Sequence, residues 1–163
     1  KYLMQKHELI AEVDVLLGGR AAEEVFIGEI STGAGNDLER ATGIIKSMAT
    51  IYGMSDIAGL MVLEKRSNQF LGGQTQKDFS DAMAKDLDDH TKNLLNERYQ
   101  IVLQQLRDNS VAIEKMTAEL LEIEVISGER VREIITECGG KVFTDEDLHS
   151  EAIVNSEVKE VIS

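Results

Sequence analysis

Apolar positions recur every three or four residues along most of this chain, the spacing of amphipathic helices. Leu9, Val13 and Leu16 set a first stripe, widened by Ile10 and Leu17 and continued by Ala21, Val25 and Phe26. Residues 7–26 are therefore predicted helical, with Gly18-Gly19 ending or bending the helix on the way. A second stripe, Leu38, Ala41, Ile45, Met48 and Tyr52, predicts a helix that stops at Gly53. From Phe79 a long amphipathic helix carries Met83, Leu87, Leu95, Tyr99, Val102 and Leu106 on one drifting face. Leu95 and Tyr99 are expected to be buried. Asp108-Asn109-Ser110 is a turn, after which Ile113, Met116, Leu120 and Ile123 form a further stripe, and Ser127-Gly128 opens a last short helix through Ile135. So short a turn between two long helices predicts that they pack antiparallel. The fold class is all-α, with at most one short strand near residues 59–63. Residues 64–78 are polar and glycine-containing, and are read as an exposed, mobile loop.

Composition sharpens this picture. None of the 163 residues is proline, where average usage would supply about eight, and long uninterrupted helices follow. Hydrophobic residues make up 42% and charged residues 29%, enough to bury a core in one folded domain. The apolar run from Ile57 to Leu63 is far short of a membrane span, so no membrane segment is predicted. A net charge of −13 argues against nucleic acid and anionic membrane as direct partners. The single cysteine, Cys138, has no internal partner and fits a reducing compartment. After Gly139-Gly140 the chain carries six acids against two lysines. Residues 138–163 are read as an acidic, flexible tail to the helical domain of residues 1–137.

The most concentrated chemistry lies in Ser31-Thr32-Gly33-Ala34-Gly35-Asn36-Asp37, between the first two predicted helices. Glycines there permit unusual backbone turns and close approach of another group. An ionised Asp37 at a helix mouth is favoured by the helix dipole and offers a hard oxygen ligand. It equally suits a helix cap, and Asn36 with Glu39 has capping-box spacing. Spacing alone leaves both open.

Other catalytic signatures are missing from these residues. No GxxxxGK[ST] loop or GxSxG elbow occurs. His7-Glu8 starts like HExxH, but position 11 is alanine, so the comparison fails, and neither His90 nor His149 has a ligand partner at useful spacing. Glu23 and Glu24 are neighbouring helix carboxylates that point about 100° apart. Both are surface acids unless one turns inward.

Taken together, several short motifs carry a resemblance. Leu16-Leu17-Gly18-Gly19-Arg20-Ala21-Ala22-Glu23-Glu24, Ser31-Thr32-Gly33-Ala34, Asn36-Asp37-Leu38, Ala41-Thr42 and Tyr52-Gly53-Met54-Ser55 follow one another in the order and separation found in the peptidase domain of FtsH-type proteases. Phe70-Leu71-Gly72 and the helices from Phe79 to about Glu137 are also similar to that family. The resemblance implies an ATP-dependent, membrane-anchored zinc metalloprotease, assembled as a homohexamer with an AAA+ module. It would degrade unfolded and membrane proteins at the cytoplasmic face of a bacterial inner membrane. By motif matching, Asp37 corresponds to the family's aspartate zinc ligand, and Glu23 to an acid near the zinc that orients a ligand histidine. The HExxH helix, with the catalytic glutamate, precedes these motifs in the family and is not among these 163 residues; nor are the ATPase module and membrane anchor. The implied chain is a C-terminal part of the peptidase domain, soluble, inactive alone, supplying no catalytic residue itself. Apolar surface around Leu16, Val25 and Ile45 is then expected to be left uncovered. A non-catalytic helical scaffold related to the peptidase is the alternative.

Overall fold

A computed structural model describes residues 3–65, 76–77 and 79–142. The all-α expectation holds. The helices are α1 (Lys6–Ala22), α2 (Gly35–Thr50), α3 (Asp81–Asp108), α4 (Ser110–Ile123) and α5 (Gly128–Glu137). The described strands are β1 (Glu64–Lys65) and β2 (Gln76–Lys77), a two-residue antiparallel ladder with Glu64 opposite Lys77. Residues 59–63 are not the expected strand. Residues 56–60 turn, and the N–H of buried Leu63 bonds the Thr50 carbonyl at 2.8 Å instead of a neighbouring strand. The Phe70-Leu71-Gly72 motif, most of the polar loop and the tail beyond residue 142 lie outside the described residues.

Contacts divide the chain into two compact units, Lys1–Val102 and Leu103–Ser163. The first is built on α1 against α2. Val13, Leu16 and Leu17 from α1 meet Ala41 and Ile45 from α2, and Leu38, Ile44, Leu94, Leu95 and Tyr99 pack around them. Leu95 and Tyr99 are thus at the edge of the core, half-buried and not fully enclosed. The glycine pair neither ends nor bends α1, which runs through Gly18 and Gly19 to Ala22. Glycine inside a helix costs about 1 kcal/mol against alanine. Burying Val13, Leu16, Leu17 and Ala21 along one face requires the helix to stay continuous, and that burial outweighs the penalty.

The surface expected to lie open is closed only in part, since Phe26 and Ile27 beside Val25 are exposed. Leu16 and Ile45 are buried within this chain, and Val25 is half-buried. Tyr52 goes the other way: α2 stops at Thr50, so its ring leaves the stripe and is exposed. On α3, Arg98 grips Asp14 of α1 with two hydrogen bonds, Nε to Oδ1 at 2.9 Å and Nη2 to Oδ2 at 2.5 Å. A paired fork of this kind fixes orientation as well as distance.

In the second unit, Arg130 of α5 makes the same two-pronged contact with Glu119 of α4 and also reaches Glu133 and Glu137. Ser127 caps α5 by accepting from the Arg130 N–H at 3.1 Å, as its sequence position suggests. Ala112 and Ile134 are buried, whereas Leu120 and Ile123 are exposed, against the stripe read for α4.

Candidate functional site

The site begins where α1 changes its winding. Residues Glu23–Ile27 form a π-turn, in which the Gly28 N–H reaches back five residues to the Glu23 carbonyl at 2.9 Å. Gly28 takes φ +80°, a left-handed conformation that side chains resist, and releases the chain from the helix. One extra residue per turn re-aims the side chains that follow, and such turns recur at functional sites.

The two adjacent acids take different partners. Glu23 turns toward the loop: its carboxylate accepts from the Ser31 N–H at 3.0 Å and from the Ser31 hydroxyl at 2.6 Å. Glu24 accepts from the phenol of Tyr99 on α3. The Ser31 Oγ in turn accepts from the Gly33 N–H at 3.1 Å and caps a short 3₁₀ turn, Thr32–Ala34. A Cβ at Gly33 would lie 3.3 Å from Ser31 Oγ and 4.0 Å from a Glu23 oxygen, so the backbone there is close-packed.

That 3₁₀ turn leads directly into α2, whose first residue is Gly35. The predicted cap is therefore wrong in detail. The residue before α2 is Ala34, with no side-chain cap, and Asn36 and Asp37 already lie within the first helical turn. Ser31 performs the capping one turn earlier. Asp37 is half-buried, and among the described residues no side-chain hydrogen bond or ion pair takes up its carboxylate. The loop binds Glu23 and presents Asp37 six residues after Ser31.

Hydrogen bonds from the Ser31 hydroxyl, then from its backbone N–H, hold the Glu23 carboxyl below its ordinary value of 4.5, with the Arg20 charge assisting. A depressed carboxyl pKa means a tether fully present above about 4.5 and lost as pH falls through the lowered folded value. Ser31→Ala removes the strongest of these donors. Carbon-detected NMR titration should then find Glu23 closer to its ordinary value than in the unaltered chain. An unmoved Glu23 titration would contradict the tether.

Among the described residues no three His, Cys, Asp or Glu side chains gather into a metal-binding group. One carboxylate such as that of Asp37 does not make a zinc site, which needs about three protein ligands. Nor is any described helix long and apolar enough to cross a membrane. Sequence reading singled out Glu23 and Asp37, and the structure joins Glu23 to Ser31 at the head of the loop that leads to Asp37. Sequence reading missed Ser31 as the shared partner, and Tyr99, which is 75 residues from Glu24 and has no local signal.

The chain as a whole is similar to known proteins. The profile of Peptidase family M41 matches residues 1–134. Among curated proteins, the ATP-dependent zinc metalloprotease FtsH of Helicobacter felis is 67% identical over 139 residues, covering 84% of this chain and 22% of that protein. The protein of the same name from a Sulfurovum species is 59% identical over 138 residues, covering 84% and 21%. That from Clostridium perfringens is 39% identical over 135 residues, covering 83% and 19%. The chain thus spans about a fifth of the length of these bacterial relatives. Matched to the family profile over most of its residues, the chain belongs to peptidase family M41.

Proposed function

We propose that this chain is part of an ATP-dependent zinc metalloprotease and contributes one ligand, Asp37, to its metal site. The observation that carries the reading is the Asp37 carboxylate, half-buried in the first turn of α2 and taken up by no side-chain hydrogen bond or ion pair among the described residues. Family membership and the names of the relatives supply the chemistry. A zinc ion held there by Asp37 and two histidines from elsewhere in the protein would polarise a peptide carbonyl and acidify a bound water to a pKa of about 7. This chain's own part is to position. Asp37 offers a hard oxygen in the first turn of α2, at the end of a short, hydrogen-bonded loop. Glu23 holds that loop through Ser31, and by motif it matches a family acid near the zinc that would orient a ligand histidine.

In this reading residues 1–137 are the C-terminal part of the peptidase domain and residues 138–163 its tail. The HExxH helix, ATP-binding module and membrane anchor belong to the remainder of a protein of the relatives' length. That protein is a homohexamer acting on unfolded and membrane proteins at the cytoplasmic face of a bacterial inner membrane. Metal removal tests the proposal. A zinc chelator should abolish peptide-bond hydrolysis by the longer protein, and zinc should restore it, while the 163-residue chain alone shows neither hydrolysis nor tight zinc. A longer protein without zinc or proteolysis would point to the scaffold instead.

A further inference from the structure

We propose that Tyr99 on α3 is a positioning residue for the Asp37 loop, acting through Glu24 and the π-turn. The inference rests on the reading of Asp37 as a metal ligand. Its starting point is the π-turn, which sends two successive carboxylates to two different elements. Glu24 accepts from the Tyr99 phenol on α3, and Glu23 accepts twice from Ser31 at the head of the loop. Arg20, one turn earlier on α1, acts electrostatically on both Glu23 and Tyr99. The end of α1 is thus tied on one side to a long helix and on the other to the loop that leads to Asp37.

The anchor itself is fixed. The residue before Tyr99, Arg98, holds Asp14 of α1 in a two-pronged grip, and Leu94 and Leu95 pack on the α1–α2 core. Burial, then the Glu24 contact, pushes the phenol up to about 12, so it remains a protonated donor throughout neutral pH. The π-turn is a rare departure from α-helical winding, and here both of its carboxylates are bonded to other elements. Remove the Tyr99 donor and Glu24 loses its partner on α3. The turn can then drift, carrying Glu23 and with it Ser31, whose Oγ holds the Gly33 N–H in the 3₁₀ turn before α2. Ligand geometry at Asp37 is what suffers.

The test uses a protein of the relatives' length, with zinc as the probe. Tyr99→Phe removes only the hydroxyl, and Glu24→Ala removes its acceptor. Each should weaken zinc binding about 10-fold, in the range seen when an outer support of a metal ligand is lost. Each should also lower kcat for a peptide substrate, while KM, ATP hydrolysis and the fold at working temperature stay as before. Glu24→Gln keeps an oxygen to accept from the phenol and should restore both zinc affinity and kcat. A purely structural Tyr99 would lower the melting temperature and leave zinc affinity and kcat per folded molecule unchanged; that result overturns the inference. Asp37→Asn in the same series separates the two claims. If it loses zinc while Tyr99→Phe and Glu24→Ala retain theirs, the positioning role falls and the ligand assignment stands. If it keeps zinc, the ligand assignment falls, and this inference with it.

Discussion

Asp37→Asn in a protein of the relatives' length is expected to abolish proteolysis and to strip most of the bound zinc, while ATP hydrolysis and folding continue. The substitution isolates the metal question. Asparagine is close to isosteric and tolerates a helix start as well as aspartate does. Ser31 and Ala34, not Asp37, stand at the cap positions of the 3₁₀ turn and α2, so little helix stability is at stake. What changes is the ligand: an anionic oxygen becomes a neutral amide oxygen, and one of about three protein ligands is weakened. Zinc content measured by mass spectrometry, alongside peptide cleavage, reads both consequences. Full zinc and full cleavage in the variant would return Asp37 to an ordinary first-turn acid.

The second large effect concerns stability. Ile45→Ala should cost about 2–5 kcal/mol, because the side chain is fully enclosed between α1 and α2 with Val13, Leu16 and Leu17. The surrounding helices close only partly around the space it leaves. Val15→Ala on α1 is the matched control: Val15 is 78% exposed, and surface changes of this kind fall within about 0.5 kcal/mol. Urea unfolding of the chain should lower the midpoint for Ile45→Ala at an unchanged slope, and leave Val15→Ala near the parent. Equal midpoints for both variants would mean that the α1–α2 contact is not the core.

The helical fold was readable because burial follows a period. Ala41, Ile45 and Met48 repeat at four and three residues, and all three are enclosed. The end of that stripe misled, since Tyr52 keeps the period after the helix has stopped at Thr50. Gly18-Gly19 misled for the opposite reason: local propensity says break, and the continuous buried face on both sides prevails. The loop chemistry was legible to the level of residue type. Asp37 and Glu23 stood out by motif, but which residue capped what depended on the 3₁₀ turn, which no periodicity announces. The contacts that organise the site are longer in range still. Tyr99 meets Glu24 across 75 positions and Arg98 meets Asp14 across 84, and a single sequence carries no mark of either. The π-turn belongs with them, because its two carboxylates bond partners on α3 and in the loop.

Whether Asp37 binds the metal is read most directly from where the zinc lies. Crystals of a protein containing both the HExxH segment and this chain, measured across the zinc absorption edge, give the ion's position independently of activity. A single anomalous peak is expected about 2.0–2.2 Å from an Asp37 carboxylate oxygen, with Glu23 still bound to Ser31. A zinc peak coordinated without Asp37, its carboxylate left to solvent, would contradict the ligand assignment.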